Sequence, residues 1–395
     1  MSENPITAQQ TPDEEPGLAI GRRLVDEVLT PLKRTYVGKD EVIDLLGVCL
    51  AGGENLFILG PPGTAKSAIV QDLSRRLEGV AFDYLLTRFT EPNELFGPFD
   101  IRRLREGELV TNTQGMLPEA SLVFLDELLN ANSAILNSLL MVLNEKVFRR
   151  GKETIPLPLL MVVGASNRLP EDDALRALFD RFLMRVHCDN VSDDRLGDVL
   201  DAGWKIDGGL IERGTTLMMD DIRRLQGRLH QVDIQCVRLP YLELIRRLRH
   251  AGIDISDRRA IKFQRLVAAS SLLCGRLQAA VSDFWILQYI WDRQEQQEVL
   301  QAIVQEALSK DVEMQKRHPR AQAQSAPDPE AMARDLEWLG KAIGEAKDAT
   351  ARSPLRDRLA VLAGRCQWVS DANQRGFLQQ QVDQLWKHFE GRSDA

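Results

Sequence analysis

Residues 56–67 read Leu56-Phe57-Ile58-Leu59-Gly60-Pro61-Pro62-Gly63-Thr64-Ala65-Lys66-Ser67, and the fold is decided there. A short apolar run from Asn55 to Leu59 is stopped by Gly60-Pro61-Pro62-Gly63. After Lys66 apolar residues return at helical spacing through Ile69, Val70 and Leu73. The pattern is strand, loop, helix. In that context the backbone N–H groups of Gly60, Pro62's neighbours Gly63 and Thr64, and Ala65, with the start of the helix, can cradle phosphates. Lys66 would reach the outer phosphates and Ser67 a Mg²⁺ ion. Ala65 stands where the G-x-x-x-x-G-K-[ST] pattern has glycine. The change adds only a methyl, so the loop is expected to be intact. An ordinary Gly-Pro turn ahead of a helix is the competing reading, and the strand and helix on either side weigh against it.

Two more buried strands follow. Leu122-Val123-Phe124-Leu125 ends at Asp126-Glu127, and Leu159 to Ala165 ends at Ser166-Asn167. Continuous apolar strands separated by helices imply a parallel sheet covered on both faces, hence an α/β fold. Such sheets place ligands at the carboxyl ends of their strands. Asp126 would therefore join the Mg²⁺ shell and Glu127 polarise a water, while the Asn167 amide could hold that water against a γ-phosphate. A helix-capping Asp and a turn-forming Asn are the bland alternatives. For the acidic pair, the phosphate loop about 60 residues earlier favours the functional reading.

Outward from this core, Ile20, Leu24, Val28 and Leu32, then Val42, Leu45, Leu46 and Cys49 after Gly38, predict two helices. Residues 1–17 are polar and acidic and are expected to be a disordered leader. Beyond Ser192 strand signals fade, and apolar periodicity over 260–277 and 284–308 predicts helices. Residues 316–330 read as a linker, with helices again over 331–348, 355–366 and 373–391. No internal repeat or long heptad seam is present. With 50 Lys+Arg against 58 Asp+Glu the net charge is −8, which argues against an unguided grip on a phosphate backbone. No apolar run approaches the ~18 residues that span a bilayer, so no membrane insertion is expected. The start does not read as an export signal, and a cytoplasmic location is expected. Five scattered cysteines suggest neither a disulfide framework nor zinc, and fit a reducing compartment. The five histidines show no metal spacing. The tryptophans read as packing for the helical half.

The order of GPPGTAKS, LVFLDEL, GASN and LFDRF resembles an AAA+ ATPase of the MoxR family, over roughly Leu18 to Arg276. Thr87-Arg88-Phe89-Thr90, Leu95-Phe96-Gly97-Pro98, Gly115 to Ala120 and Ala134 to Asn137 resemble its RavA branch. The resemblance implies an α/β P-loop NTPase core over 18–191 with inserts at 89–118 and 144–157. It also implies an all-helical lid over 192–280 and a C-terminal helical region over 281–395. It makes Val37 and Gly38 part of an adenine pocket, Lys66 and Ser67 the phosphate and Mg²⁺ ligands, and Asp126 and Glu127 the Walker B pair. Asn167 becomes the sensor-1 residue. Arg181 matches the arginine finger that a neighbouring subunit offers, with Arg176 and Arg185 as nearby alternatives. Arg258, in Ser256-Asp257-Arg258-Arg259, matches the sensor-2 position, acting on its own or the next subunit's nucleotide.

ATP and Mg²⁺ are thus the implied ligands, and a hexameric ring the implied assembly. A von Willebrand factor A domain protein is the implied partner, with protein clients to be remodelled. The inserts would project toward a central pore, carrying Arg102, Arg103, Arg105, Lys146, Arg149, Arg150 and Lys152. A basic pore lining competes there with solvated faces balanced by Glu106, Glu108, Glu145 and Glu153. The β-rich docking module that the RavA branch commonly adds is not expected in this chain. Two rival classes are a nucleic-acid motor or regulatory ATPase subunit of a nuclease or defence complex, and a nucleotide-locked scaffold. The acidic balance opposes the first, and the intact Asp126-Glu127, Asn167 and Arg181 set opposes the second.

Overall fold

Apolar runs too short for helices form the central strands of the computed structural model. It describes residues 16–106, 110–150, 153–170, 172–209, 216–309, 318–323, 329–345 and 372–390, and single positions between 355 and 366. In chain order the strands are β1 (Leu56–Leu59), β2 (Leu77–Glu78), β3 (Ala81–Leu85), β4 (Leu122–Asp126), β5 (Val147–Arg150), β6 (Glu153–Pro156), β7 (Met161–Ser166), β8 (Met184–His187) and β9 (Leu217–Met218). Five of them make one parallel sheet in the order β3-β4-β7-β1-β8. The central strands β1 and β7 are buried along their whole length, which is why they read as continuous apolar runs.

Two sheet strands were not legible as such. β3 is an edge strand that alternates between buried and exposed positions. β8 carries Arg185 among apolar residues, and that charge interrupts the apolar run. β5 and β6 pair as an antiparallel hairpin within the second insert. β2 and β9 form a small parallel pair, so one short strand does follow Ser192.

The first predicted helix starts at Pro16, and the expected leader up to residue 15 lies outside the described residues. Helical backbone continues to Thr35 through a π turn at Leu24–Leu29, which keeps Leu24, Val28, Leu29 and Leu32 on the buried side. It packs closely on the helix Asp40–Gly52. A Cβ on Gly47 would come 2.3 Å from Leu29 Cδ1, so a larger residue there would require the Leu29 side chain to move. The helices Lys66–Arg75 and Ser133–Glu145 follow the phosphate loop and the β4 carboxylates.

After β8 come the helices Leu196–Asp207, Met219–Gly227, Arg238–His250 and Asp257–Leu273. The periodic stretch 284–308 is not one helix. A 3₁₀ segment, Val281–Tyr289, precedes the helix Gln296–Ser309, and the chain turns between them so that the carbonyls of Ile290 and Trp291 meet Arg185. Trp285 and Trp291 are fully buried, in one continuous core running from Ile20 to Leu308. A second, separate core links the helix Pro329–Glu345 to Leu359, Leu362 and Cys366 and to the helix Ala372–Glu390.

The segment read as a linker contains a docked stretch. His318 is buried and stacked on Trp285 at 4.4 Å between centroids, and Arg320 Nε bonds Asp44 Oδ2 at 2.8 Å. Both side chains find apolar or charged partners on the core, which composition alone does not reveal. No helix among the described residues is long and apolar enough to cross a membrane.

Candidate active site

Three strand ends meet at one edge of the sheet. β1 runs into the loop 60–65, β4 ends at Asp126 and β7 at Ser166, and the parallel register sets Leu59 beside Ser166 and Leu125 beside Gly164. Gly60 has no alternative, because a Cβ there would sit 2.2 Å from the Cys188 carbonyl oxygen. Gly63 and Ala65 both take left-handed backbone, at φ 82° and 68°. This is the backbone type that builds anion-binding nests of N–H groups. Ala65 thus adopts the conformation for which the pattern reserves glycine, at a steric cost of about 1–2 kcal/mol. Thr64 Oγ1 donates to the Pro61 carbonyl at 2.9 Å and holds the loop closed.

Lys66 is buried, and its ammonium donates to the carbonyls of Gly60 (2.9 Å) and Pro61 (2.7 Å). The ammonium is therefore poised over the loop mouth on weak neutral acceptors that phosphate oxygens can replace. Ser67 Oγ donates to Asp126 Oδ2 at 2.8 Å, and the Glu127 N–H donates to Asp126 Oδ1 at 2.9 Å. One hydroxyl and one carboxylate side by side are hard oxygen donors, a set that suits Mg²⁺.

Glu127 solves a problem that strand alternation poses. Neighbouring strand residues face opposite sides, but Glu127 takes left-handed backbone at φ 49°, which turns the chain out of the strand directly after Asp126. Strain of this kind gathers at functional sites. Partial burial and the neighbouring Asp126 carboxylate push the Glu127 carboxyl above its ordinary range, against the opposing pull of Lys66 and Arg168. Asn167 lies exposed one residue beyond β7. Arg168 Nη2 bonds Asn130 Oδ1 at 3.1 Å, which ties the loop after β7 to the turn after Glu127.

Val37 and Gly38 sit beside the chain leaving β8. A Cβ on Gly38 (φ 74°) would come 2.6 Å from Val191 Cγ1, and Lys39 Nζ donates to the Asp189 carbonyl. Tyr36 hydroxyl donates to the Ala68 carbonyl at 3.0 Å, and Cys188 Sγ to the Thr64 carbonyl at 3.2 Å. Sequence reasoning passed over these two braces. The second depends on β8, which ends at His187 and places Cys188 directly after it.

Arg181 is not brought to this edge. β8 is parallel to β1 with Met184 beside Leu56, so Arg181 lies before the amino end of β8, and Asn55 Nδ2 reaches its carbonyl at 3.4 Å. Four strand residues separate that end from the phosphate loop, roughly 13 Å at about 3.3 Å per residue. The Arg181 side chain is exposed. Arg185 is no rival, since it is fully buried and ion-paired to Asp292 at 2.6 Å. Arg176 is exposed on the helix Asp173–Phe179. Arg258 is exposed in the first turn of Asp257–Leu273, capped by Ser256, while Arg259 is bound to Asp292 at 3.1 Å.

In the inserts Arg102, Arg103 and Arg105 are exposed. Lys146 turns inward and donates to the Leu160 carbonyl at 3.4 Å, and Arg149 of β5 pairs with Glu145, the last residue of the preceding helix, at 2.7 Å. Neither matches a free basic lining. Lys152, Glu108 and the side chains of Arg150 and Glu153 lie outside the described residues. No cluster of three or more His, Cys, Asp or Glu that could hold a metal occurs among the described residues.

A five-stranded parallel sheet with a phosphate loop after β1, an acidic pair after β4, a polar residue after β7 and a lid domain behind them defines an AAA+ ATPase. A family profile described as the MoxR domain in the MoxR-vWA-beta-propeller ternary systems matches residues 22–227, and an AAA lid domain profile matches residues 239–304. The chain belongs to the MoxR family. Two uncharacterised proteins of Methanocaldococcus jannaschii are similar to it. One is 34% identical over 271 residues, 68% of this chain and 70% of the relative. The other is 33% identical over 270 residues, 68% and 71%. The chaperone MoxR1 of Mycobacterium tuberculosis is 26% identical over 175 residues, 43% of this chain and 46% of that protein. The solved structure of a candidate ATPase from Cytophaga hutchinsonii shares the fold with a TM-score of 0.61 at 19% identity, covering 75% of this chain and 96% of its own.

Proposed function

We propose that this ATPase works as a ring, hexameric as its family resemblance implies, that couples Mg²⁺-dependent ATP hydrolysis to remodelling or activating partner proteins. The observation that carries the hydrolytic reading is the contact of Ser67 with Asp126, two oxygen donors from segments 59 residues apart, at the start of the helix that follows the phosphate loop. In this reading the N–H groups of Gly63, Thr64 and Ala65 hold the phosphates, Lys66 exchanges its two loop carbonyls for phosphate oxygens, and Val37 and Gly38 border the adenine. Mg²⁺, held by Ser67 and Asp126, supplies Lewis-acid charge stabilisation when bound. Glu127 polarises the attacking water and takes its proton, and the Asn167 amide keeps that water in line. Arg181 serves the neighbour's site, because its place before β8 keeps it away from its own, and Arg258 serves the nucleotide from the lid.

The partner reading rests on the description of the matching family profile, which concerns MoxR domains working with von Willebrand factor A and β-propeller proteins. A von Willebrand factor A domain protein is accordingly the proposed partner, with protein clients beyond it and a cytoplasmic setting. The placement in the RavA branch rests on the motifs at Thr87–Thr90, Leu95–Pro98, Gly115–Ala120 and Ala134–Asn137. The test is capture with tagged Glu127→Gln protein held in ATP, from native lysate with and without nuclease. Recovery of a von Willebrand factor A protein in both arms is expected. Nuclease-sensitive recovery of DNA-processing proteins would instead establish the nucleic-acid motor.

A further inference from the structure

Arg185 is a fully buried guanidinium in the middle of β8, beside Phe57 of β1. It grips the turn just ahead of Arg181 in three ways. Its Nη2 donates to the Phe179 carbonyl at 3.2 Å, its guanidinium lies 4.3 Å from the Phe179 ring centroid, and Asp180 Oδ1 is 3.8 Å away. On its other side it donates to the carbonyls of Ile290 and Trp291 and pairs with Asp292 Oδ1 at 2.6 Å. The second oxygen of Asp292 takes Arg259 at 3.1 Å, and Arg259 also donates to the Ile290 carbonyl at 3.0 Å. Arg259 follows Arg258 in the first turn of the helix Asp257–Leu273.

One carboxylate therefore joins the strand behind Arg181 to the helix that carries Arg258. An isolated charge as deeply buried as Arg185 is costly and needs its counter-ion. Burial pushes the Arg185 guanidinium down to about 10, and Asp292 pulls it back toward the charged form. The contact also crosses between the sheet and the lid, since Arg259 and Asp292 both fall within the stretch that matches the lid profile.

We propose that Asp292 is a positioning residue that, by holding Arg185 and Arg259 at once, locks the Phe179–Arg181 turn to the lid helix and so sets the finger offered to the next subunit. The inference rests on the reading that Arg181 acts in trans. Movement of the lid over its own nucleotide would then pass through Asp292 and Arg185 to the neighbour's site.

The test is a complementation assay with Asp292→Asn. A displacement of about 1 Å at a reacting group costs on the order of 100-fold in rate, so kcat should fall about 10- to 100-fold. Affinity for fluorescent ATP should stay within about twofold, because the phosphate loop is untouched. Mixing Asp292→Asn with Glu127→Gln should restore turnover, as is expected for Arg181→Ala mixed with Glu127→Gln. The intact loop and Glu127 of the first protein then receive a sound finger from the second. A merely structural defect in Asp292→Asn would not be mended by mixing.

Restoration for Arg181→Ala but not for Asp292→Asn overturns the proposal, as does a wild-type kcat for Asp292→Asn alone. Restoration for neither sinks the trans reading, and this inference with it. Should Asp292→Asn fail to fold, Arg259→Gln leaves the buried Arg185–Asp292 pair in place and opens only the lid end. The same loss of kcat and the same rescue are expected of it, and their absence counts equally against the proposal.

Discussion

The hydroxyl of Ser67 and the carboxylate of Asp126 meet at 2.8 Å, so the first turn after the phosphate loop and the end of β4 share one point in space. Asp126 already receives the Glu127 N–H, and Ser67 is the second residue of a helix that lacks a side-chain cap. In the proposed reading the pair supplies two oxygen ligands to one Mg²⁺. Asp126→Asn should therefore shift the Mg²⁺ concentration for half-maximal ATPase activity upward while leaving the melting temperature near wild type. A Mg²⁺ titration of steady-state phosphate release decides it, and an unchanged curve would remove Asp126 from the metal shell.

Glu127 and Arg181 belong to different sites in the proposed ring. Glu127→Gln should bind ATP yet turn it over about 100-fold or more slowly, the usual worth of a positioned base. Arg181→Ala should lose about 1,000-fold, the lower end for an arginine finger. Mixtures of the two should regain activity at interfaces where an intact Glu127 faces an intact Arg181. Measured across mixing ratios, a flat and inactive series would contradict a finger acting between subunits.

Ala65 spends steric energy in a left-handed conformation at φ 68°. Ala65→Gly removes the Cβ penalty of about 1–2 kcal/mol but returns some unfolded-state entropy. A net gain of about 0.5–1 kcal/mol is expected in urea melts, with ATPase activity retained. Loss of stability would show that the Ala65 methyl, packed against the core, is worth more than its strain.

His318 gives the protein an acid-sensitive joint. Its ring is buried on Trp285, and that burial lowers its pKa from 6.5 to about 4. Between those values the unfolded chain binds the extra proton, so stability is intact above about pH 6.5 and falls as pH drops toward 4. From pH 7 to pH 5 the loss attributable to His318 is about 2 kcal/mol. His318→Phe keeps an aromatic stack without the titration, and should flatten the difference between melts at the two pH values. An equal acid loss in wild type and variant would place the sensitivity elsewhere.

Much of the site was legible because its chemistry is local in sequence. The apolar run before Gly60 and the acidic pair after Leu125 are strand ends read one after another. The sheet buries those strands on both faces, so pattern and structure agree there. β8 escaped for the opposite reason. Its Arg185 is polar in sequence and core in space, and its nearest counter-ion, Asp292, comes 107 residues later. Lys146 is the mirror case, a lysine expected on an exposed insert that the hairpin turns toward the Leu160 carbonyl.

Short-range spacing fixes the order of loop, acidic pair and polar strand end, and the burial of the strands on both faces fixes the parallel sheet, so both are legible in the chain. Which arginine is presented and which is taken up in packing depends on tertiary contacts. Arg181 and Arg185 lie four residues apart and look alike in the chain. One stands exposed before β8, and the other is buried in it, where desolvation demands the carboxylate that the lid brings.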